Sequence, residues 1–262
     1  MKSHIKFTLQ SKTFLRTLLL TLPLTCWLSA CDVVQGVLDS AAGSAGGLTT
    51  QEVVDGLKTA LKKGAQYAGS NASREDGFLN NPIVDIKILL PPELRKVESN
   101  VRKIPVVGDK VVDDFVLALN RGAEKAAKEA APIFVNAITS MTIQDAMGIL
   151  KGDSTAATNY LQRTTSAQLA AKFEPVIKNA LDQVGAYKYY NGLKDAISAY
   201  NKTPLVQDIN VDVKDLPVLE EYATQRALDG LFTLVAREEK NIRRDPFGQA
   251  EAILRKVFGS VK

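Results

Sequence analysis

The feature that most constrains this chain is the recurrence of apolar residues at every third or fourth position, in one segment after another. The first such segment carries Val53, Leu57, Leu61 and Ala65. This spacing places apolar side chains on one face of an α-helix, as in helices that pack against a shared core. Similar stripes run through residues 112–130, 169–184, 189–200, 216–235 and 247–258. We therefore predict an all-α fold, a multi-helix, bundle-like single domain.

Local signals mark where this domain begins and where its last helix starts. Thr49-x-x-Glu52 forms a capping box, in which the hydroxyl and the carboxylate satisfy free amides of the first turn. Asp245-Pro246 combines an N-cap residue with a proline at the first helical position, where its missing N–H costs nothing. Pro175 should kink or restart its own helix. The helical domain is predicted to span residues 48–262.

Two short stretches depart from the helical pattern. Residues 83–90 end at Pro91-Pro92, and residues 205–213 have apolar side chains near alternate positions. Alternation with a period of two is typical of strands. The two stretches could pair as one short two-stranded β-ribbon beside the helices.

Residues 1–30 carry the pattern of a bacterial export signal. Their basic residues are Lys2, Lys6, Lys12 and Arg16. An apolar stretch at residues 17–28 follows, and it is shorter than the roughly 18 residues that cross a bilayer. It ends in Leu28-Ser29-Ala30-Cys31, which matches the lipobox of lipoprotein signal peptides. We predict cleavage before Cys31 and lipid on that cysteine; an ordinary secretory signal and an uncleaved anchor are the alternatives.

A flexible tether is expected between the lipid and the helical domain. Residues 39–47 are dominated by glycine, alanine and serine, which cannot build a core. We assign residues 31–47 to the lipidated cysteine and the tether, and we expect the domain to face the periplasm. Asp32 resembles the inner-membrane retention signal of enteric bacteria, but both the inner and the outer membrane stay open.

The charge balance argues against nucleic acid as a partner. Residues 1–30 contain four of the 33 basic residues and none of the 29 acidic residues, so the remaining chain carries 29 of each sign. Binding to nucleic acid depends mainly on the neutralisation of phosphates by a basic surplus. We expect no nucleic-acid partner.

The residue types that remain after cleavage limit the chemistry. The one histidine, His4, and one of the two cysteines, Cys26, lie within residues 1–30. Ser-His-Asp and Cys-His hydrolysis, His-ligated zinc and cysteine-ligated clusters all need residues that the predicted mature domain lacks. We predict no catalytic residues of these types, no metal and no cofactor.

The densest cluster of charged residues is the stretch 238–246. Arg243 or Arg244 could act as a guanidinium fork for a phosphate or carboxylate. The alternative is that Glu239 pairs with Arg243 on a helix surface while Asp245 caps the next helix. Ion pairs and caps are the commoner role at helix junctions, and we favour that interpretation.

A polar stripe on the preceding helix is a second candidate. Arg226, Asp229, Thr233 and Arg237 lie apart from the apolar face and could line a polar groove. The alternative is the wet face of an amphipathic helix. Together with Arg243, Arg244 and Asp245, the pair Arg226 and Asp229 forms our candidate polar site.

Aromatic and acidic side chains give two weaker signals. A cluster of tyrosines could line a ligand pocket, although helical spacing favours core packing: Tyr187, Tyr189, Tyr190 and Tyr200. Glu98-Ser99 invites comparison with the Glu-Ser pair of lytic transglycosylases, but the glycine-rich and aromatic motifs of those enzymes do not follow it. Glu98 is therefore expected to be a charge on an exposed helix.

Several segments together resemble one family of exported bacterial proteins. These segments are Arg226-Ala-Leu-Asp-Gly-Leu-Phe232, Glu238-Glu-Lys-Asn-Ile-Arg-Arg-Asp-Pro246, Leu254-Arg-Lys-Val-Phe-Gly259, the helix at residues 49–64 and Ile86-Lys-Ile-Leu-Leu-Pro91. They are similar to the domain of unknown function 4197, over about residues 48–259. The resemblance implies a helical domain, and it brings no established activity or functional residue.

Two functional hypotheses follow. The first is a membrane-anchored, non-catalytic binding or interaction module of the cell envelope, with an envelope protein or an apolar ligand as its partner. The second is a carboxylate-dependent envelope enzyme, such as one that cleaves peptidoglycan glycan, which would need carboxyl groups converging in a cleft. We favour the first and keep the enzyme as the alternative.

Overall fold

The computed structural model describes residues 49–102, 108–183, 185–201 and 212–244. Its α-helices are α1 (Thr50–Ser73), α2 (Pro92–Arg102), α3 (Gly108–Ala126), α4 (Ala130–Thr139), α5 (Ile143–Lys151), α6 (Ala156–Gln183), α7 (Ala186–Asn201) and α8 (Leu219–Arg244). Short 3-10 turns occupy Ala127–Glu129 and Val213–Asp215. These residues all belong to one compact unit, Leu48–Lys262, and contain no strand, which confirms the all-α prediction.

The predicted capping box opens α1. The amide of Glu52 donates to the Thr49 hydroxyl at 3.2 Å, and the Thr49 amide donates to the Glu52 carboxylate at 2.8 Å. Thr142 and Asp145 form a second box at the start of α5. In both boxes, two side chains satisfy amides that the helix itself leaves free. The last predicted helix, with Asp245 as its cap, lies outside the described residues.

Small residues let the first and last described helices approach each other closely. The buried face of α1 includes Ala60, Gly64, Ala65, Ala68, Gly69 and Ala72. A Cβ at Gly64 would lie 3.4 Å from the Ile242 side chain of α8. The core continues through α6, which packs against both α3 and α8. Pro175 lies inside α6, so the helix continues through this proline and does not restart there.

A helix that crosses a membrane must be both long and apolar. No single one of them is both long and apolar enough to cross a bilayer. The bent pair Val112–Thr139 and Ile143–Lys151, which turns by 106°, meets the two conditions together.

Residues 85–90 form an extended segment that follows the core without joining a sheet. Ile86, Ile88 and Leu90 are buried, and the residues between them are exposed, so the alternation expected of a strand is present. The buried Asn120 of α3 takes the place of a partner strand. Its Oδ1 accepts from the Ile88 amide and its Nδ2 donates to the Ile88 carbonyl, both at 2.8 Å.

Within the described residues, the first stretch pairs with no second strand, so the predicted β-ribbon is not formed there. Most of the second stretch, residues 205–211, lies outside that part. Residues Val213–Asp215 form a 3-10 turn. Side chains of the helices form hydrogen bonds to the backbone of the first stretch.

A glycine on α8 allows a buried aromatic ring to pack against the helix backbone. A Cβ at Gly230 would lie only 2.7 Å from the ring of Phe78, which is fully buried. The absence of a side chain at this position lets the aromatic ring lie directly on the helix backbone. Gly230 belongs to the segment 226–232 that carries the family resemblance.

Candidate functional site

The pair Arg226 and Asp229 lies on an exposed face of α8. The guanidinium of Arg226 forms a salt bridge with Asp229 at 2.9 Å, and Gln225 also donates to Asp229 at 2.8 Å. Arg226 lies over the ring of Tyr222, 5.9 Å from its centroid. This part of the predicted polar site is accessible, and its charges are already paired.

Arg243 is turned into the protein. Its Nε and Nη2 donate to one carboxylate oxygen of Glu239 at 3.0 and 2.8 Å, and Nη2 also donates to the Ile149 carbonyl at 2.8 Å. The pairing with Glu239 is the one expected at this spacing. Arg244 is exposed and donates to Asn241 at 3.3 Å, and Asp245 lies outside the described residues.

The structure does not bring these predicted residues into one site. Arg226 and Arg243 lie on the same straight element, α8, about 25 Å apart at 1.5 Å per residue. A small anion cannot be shared across that distance. The two halves of the predicted site must therefore be considered separately.

Glu239 is the centre of a buried helix-end junction. Besides the pairing with Arg243, its carboxylate accepts from the amides of Ala157 and Thr158 at 3.0 and 2.8 Å, and from the Thr158 hydroxyl at 2.8 Å. It thus satisfies the free amides at the start of α6, while Arg243 caps a carbonyl at the end of α5. The side chain of Glu239 is 5% exposed, so the pair is not a surface pair. The carboxylate and the guanidinium of this junction are thus engaged within the fold.

A second buried carboxylate holds the turn that leads into the extended segment. Glu124 of α3 accepts from the amides of Phe78 and Leu79 at 3.1 and 3.3 Å. Arg121 donates to Glu124 at 2.6 Å and to Asp76 at 2.9 Å. Asp76 has a φ of +60°, a left-handed conformation that the surrounding contacts hold in place.

A concave surface, which we call the cleft, lies between the chain at residues 79–90, helix α2 and helix α3. Its volume is about 370 Å³. Apolar lining residues are Leu79, Leu89, Leu90, Val116 and Leu117, and charged ones are Lys87, Arg95, Glu98, Arg102 and Asp113. A volume of this size is within the range of small-molecule sites, roughly 300–1,000 Å³.

Local periodicity explains why these side chains meet. The extended segment turns Lys87 and Leu89 to the side opposite the core. On α2, Arg95, Glu98 and Arg102 share one face, because they are spaced by three and four positions. Leu89 and Leu117 are 44% and 39% exposed, so the apolar part of the cleft is open to solvent.

One arginine of the cleft is fully engaged. Arg102 donates to Glu98 at 2.8 Å, to Asp113 at 3.0 Å and to Asp109 at 3.3 Å. These hydrogen bonds raise the pKa of Arg102 above its ordinary value, and the one to Glu98 has the largest effect. The guanidinium therefore stays charged. Both carboxylates that line the cleft are therefore already salt-bridged.

The other two cations of the cleft have no such partner. No described carboxylate forms a salt bridge with Lys87 or Arg95. Tyr222 of α8 joins this end of the cleft to the rest of the domain, since its hydroxyl donates to the Leu89 carbonyl at 3.0 Å. Burial raises the pKa of Tyr222, and the nearby positive charges of Arg226 and Arg95 oppose that rise.

Comparison with known proteins gives the chain a family. The model of a family described as "Protein of unknown function (DUF4197)" matches residues 47–259. The chain belongs to the DUF4197 family. No curated protein and no solved structure matches the chain. The predicted family membership is confirmed, and the matched residues 47–259 agree with the predicted range of about 48–259.

Within the described residues, the tyrosines of the DUF4197 domain have different surroundings. Tyr190 is buried, stacks on Phe115 and donates to the Pro217 carbonyl; burial raises its pKa to about 12. Tyr187 donates to Glu220 at 3.1 Å, and Tyr189 is 40% exposed. The Tyr200 side chain is outside the described part.

Sequence reasoning missed the cleft of this DUF4197 domain, although it had singled out Glu98 and residues 83–90. Taken separately, Glu98 indicates an exposed charge and residues 83–90 indicate half of a β-ribbon. The alternation at residues 85–90, with a lysine and a leucine on the exposed side, was the signal that could have marked a surface. Its neighbours on α2 and α3 could not be known without the fold.

Proposed function

We propose that this DUF4197 protein is a lipid-anchored component of the bacterial cell envelope. In this proposal, residues 1–30 direct export, Cys31 carries the lipid, and the helical domain faces the periplasm from the inner or outer membrane. The lipobox match at residues 28–31 and the short apolar stretch before it support this proposal. The glycine-rich residues 39–47 would let the domain move over the membrane surface.

We further propose that the domain is a non-catalytic binding module and that the cleft is its binding surface. The single observation that carries this proposal is the exposure of Leu89 and Leu117 inside a concave surface. Lys87 and Arg95 line the same surface, and neither forms a salt bridge with a carboxylate of the described residues. Apolar side chains gathered in a cleft with a few polar groups are typical of ligand sites.

The cleft also bears on the enzyme alternative. Glu98 and Asp113 both line it, which a carboxylate-dependent enzyme would require. However, both form salt bridges with the guanidinium of Arg102, so their oxygens are already engaged within the chain. For this reason we place the binding module first.

The anchor is tested by cell fractionation of wild type and of Cys31→Ser. We expect wild type in the membrane fraction and the variant in the soluble periplasmic fraction or unprocessed, because thioether lipidation needs the cysteine. Two or more acyl chains give effectively permanent attachment. Cys26→Ser is the matched control and should fractionate like wild type. If Cys31→Ser stays in the membrane with unchanged processing, the proposed anchor is wrong.

The binding surface is tested by photocrosslinking in cells. A benzoylphenylalanine at position 117 should form a reproducible adduct, because that side chain points into the cleft. The control is the same residue at position 67, since Tyr67 is 48% exposed and does not line the cleft. Adducts of equal yield and mass at both positions, or none at position 117, would contradict the assignment of the cleft.

A further inference from the structure

The apolar surface of the cleft is small and local. Six large apolar side chains are prominently exposed in the described residues: Tyr67, Leu89, Leu117, Ile143, Tyr189 and Val218. Only Leu89 and Leu117 line the cleft. A stable protein interface needs about 800 Å² on each partner, with a fully buried apolar centre. Two leucines within about 370 Å³ fit a single flexible chain better than a protein face.

The charges at the cleft are divided into two groups. Arg102 is surrounded by Glu98, Asp109 and Asp113, so its own charge is already compensated. Lys87 and Arg95, which also line the cleft, form no salt bridge with a carboxylate of the described residues. Lys87 is two residues from Leu89 on the same exposed side of the extended segment, and Arg95 lies on the cleft face of α2.

We infer that the cleft binds an anionic amphiphile, with its alkyl chain against Leu89 and Leu117 and its phosphate or carboxylate head between Lys87 and Arg95. This inference rests on the proposed binding function and names its ligand class. The ligand and the cleft are complementary in two ways. The leucines shield the alkyl chain from water, and the cations form charge-assisted hydrogen bonds with the head group. Arg95 supplies planar paired donors and Lys87 supplies a mobile point charge. Both side chains line the same cleft, so either one can donate to the head group.

Asp85 lies two residues from Lys87 on the same exposed side and accepts from the Lys87 amide at 3.3 Å, but it does not line the cleft. Arg226 lies over Tyr222 and is paired with Asp229. Glu93 is close enough to Tyr222 to act on its hydroxyl, so it lies near the Tyr222 end of the cleft, but it does not line the cleft. The two carboxylates that line the cleft are held by Arg102.

The test uses the full chain in a nonionic detergent and two photoreactive probes of equal chain length. One probe is a dodecyl phosphate with a diazirine in the chain, and the other is the corresponding dodecanol. Labelled peptides are mapped by mass spectrometry. The phosphate probe should label peptides that contain Leu89 or Leu117, at concentrations about tenfold lower than the alcohol, since a charge-assisted hydrogen bond contributes about that factor.

Charge variants make the test specific. Lys87→Gln with Arg95→Gln should remove the advantage of the phosphate probe while the circular dichroism spectrum and the labelling by dodecanol stay unchanged. The matched control is Lys96→Gln with Lys128→Gln, two exposed lysines outside the cleft, and it should keep the advantage. Equal labelling by the two probes, or labelling that ignores the cleft variant, would overturn the inference.

The source of the amphiphile is distinguished by vesicles. A photoreactive phosphatidylglycerol in phosphatidylcholine vesicles should label the cleft if the head group belongs to a membrane lipid, and only the monomeric probe should do so if the ligand is free. Either result supports an anionic amphiphile. If no probe labels the cleft while the crosslinker at position 117 captures a polypeptide in cells, the ligand class is wrong and the binding module stands.

Discussion

Replacing Glu239 by leucine should lower the free energy of unfolding by about 3–5 kcal/mol, the typical cost of breaking a buried ion pair by removing one partner. The substitution leaves the Arg243 guanidinium, 19% exposed, without its carboxylate. It also leaves the amides of Ala157 and Thr158 without an acceptor at the start of α6. Urea unfolding of the full chain, followed by circular dichroism, measures the loss.

Two further variants separate the junction from a general effect of the substitution. Glu221→Leu changes an exposed glutamate of the same helix and should cost less than about 1 kcal/mol. Glu239→Leu combined with Arg243→Leu should cost less than the sum of the two single changes, because no unpaired charge remains. A loss for Glu239→Leu no larger than that for Glu221→Leu would show that the junction contributes little to stability.

Replacing Asn120 by leucine should cost about 2–4 kcal/mol and should release the extended segment before the helices unfold. Asn120 is fully buried, and its side chain bonds both backbone groups of Ile88. Each buried polar group left without a partner costs about 1–3 kcal/mol. Hydrogen exchange at the Ile88 amide should become faster by at least about tenfold, since 1.4 kcal/mol corresponds to that factor.

The control for this substitution is Asn136→Leu on α4, an exposed asparagine. It should leave the exchange of Ile88 unchanged and should shift stability by less than about 0.5 kcal/mol. Unchanged protection of Ile88 in Asn120→Leu would contradict the role that we give to the asparagine. Because the extended segment forms one wall of the cleft, the same variant should also weaken crosslinking at position 117.

The helices were predictable because their signals are local. The capping box at Thr49 and Glu52 and the stripe from Val53 to Ala65 depend on residues within one or two turns. The pairing of Glu239 with Arg243 was predicted for the same reason, as both lie on one helix four positions apart. Its burial was not predictable, because it depends on α5 and α6, which lie more than 80 residues earlier.

The extended segment shows the limit of such reasoning. Alternation at residues 85–90 correctly indicated an extended chain, and a second strand was the partner that sequence alone could suggest. The actual partner is a single side chain, Asn120, in the middle of a helical stripe. Nothing in the local pattern of α3 marks that asparagine as a substitute for a strand.

The cleft could not be predicted for a similar reason. Its lining residues come from three separate segments, and each segment alone resembles an ordinary amphipathic surface. The unpaired state of Lys87 and Arg95 becomes meaningful only after the carboxylates near them are known to be held by Arg102.

The close packing of α1 on α8 has a consequence for biosynthesis. The small-residue face of α1 is covered partly by α4, with Gly69 against Ala131, and partly by the last described helix, with Gly64 against Ile242. The first helix therefore cannot complete its core until the ribosome has made nearly the whole domain. At roughly 5–20 residues per second, the interval is about 10–35 seconds. During that time the nascent chain lacks its native partner surface. This interval is compatible with the export proposed above, because a translocation channel takes an unfolded chain.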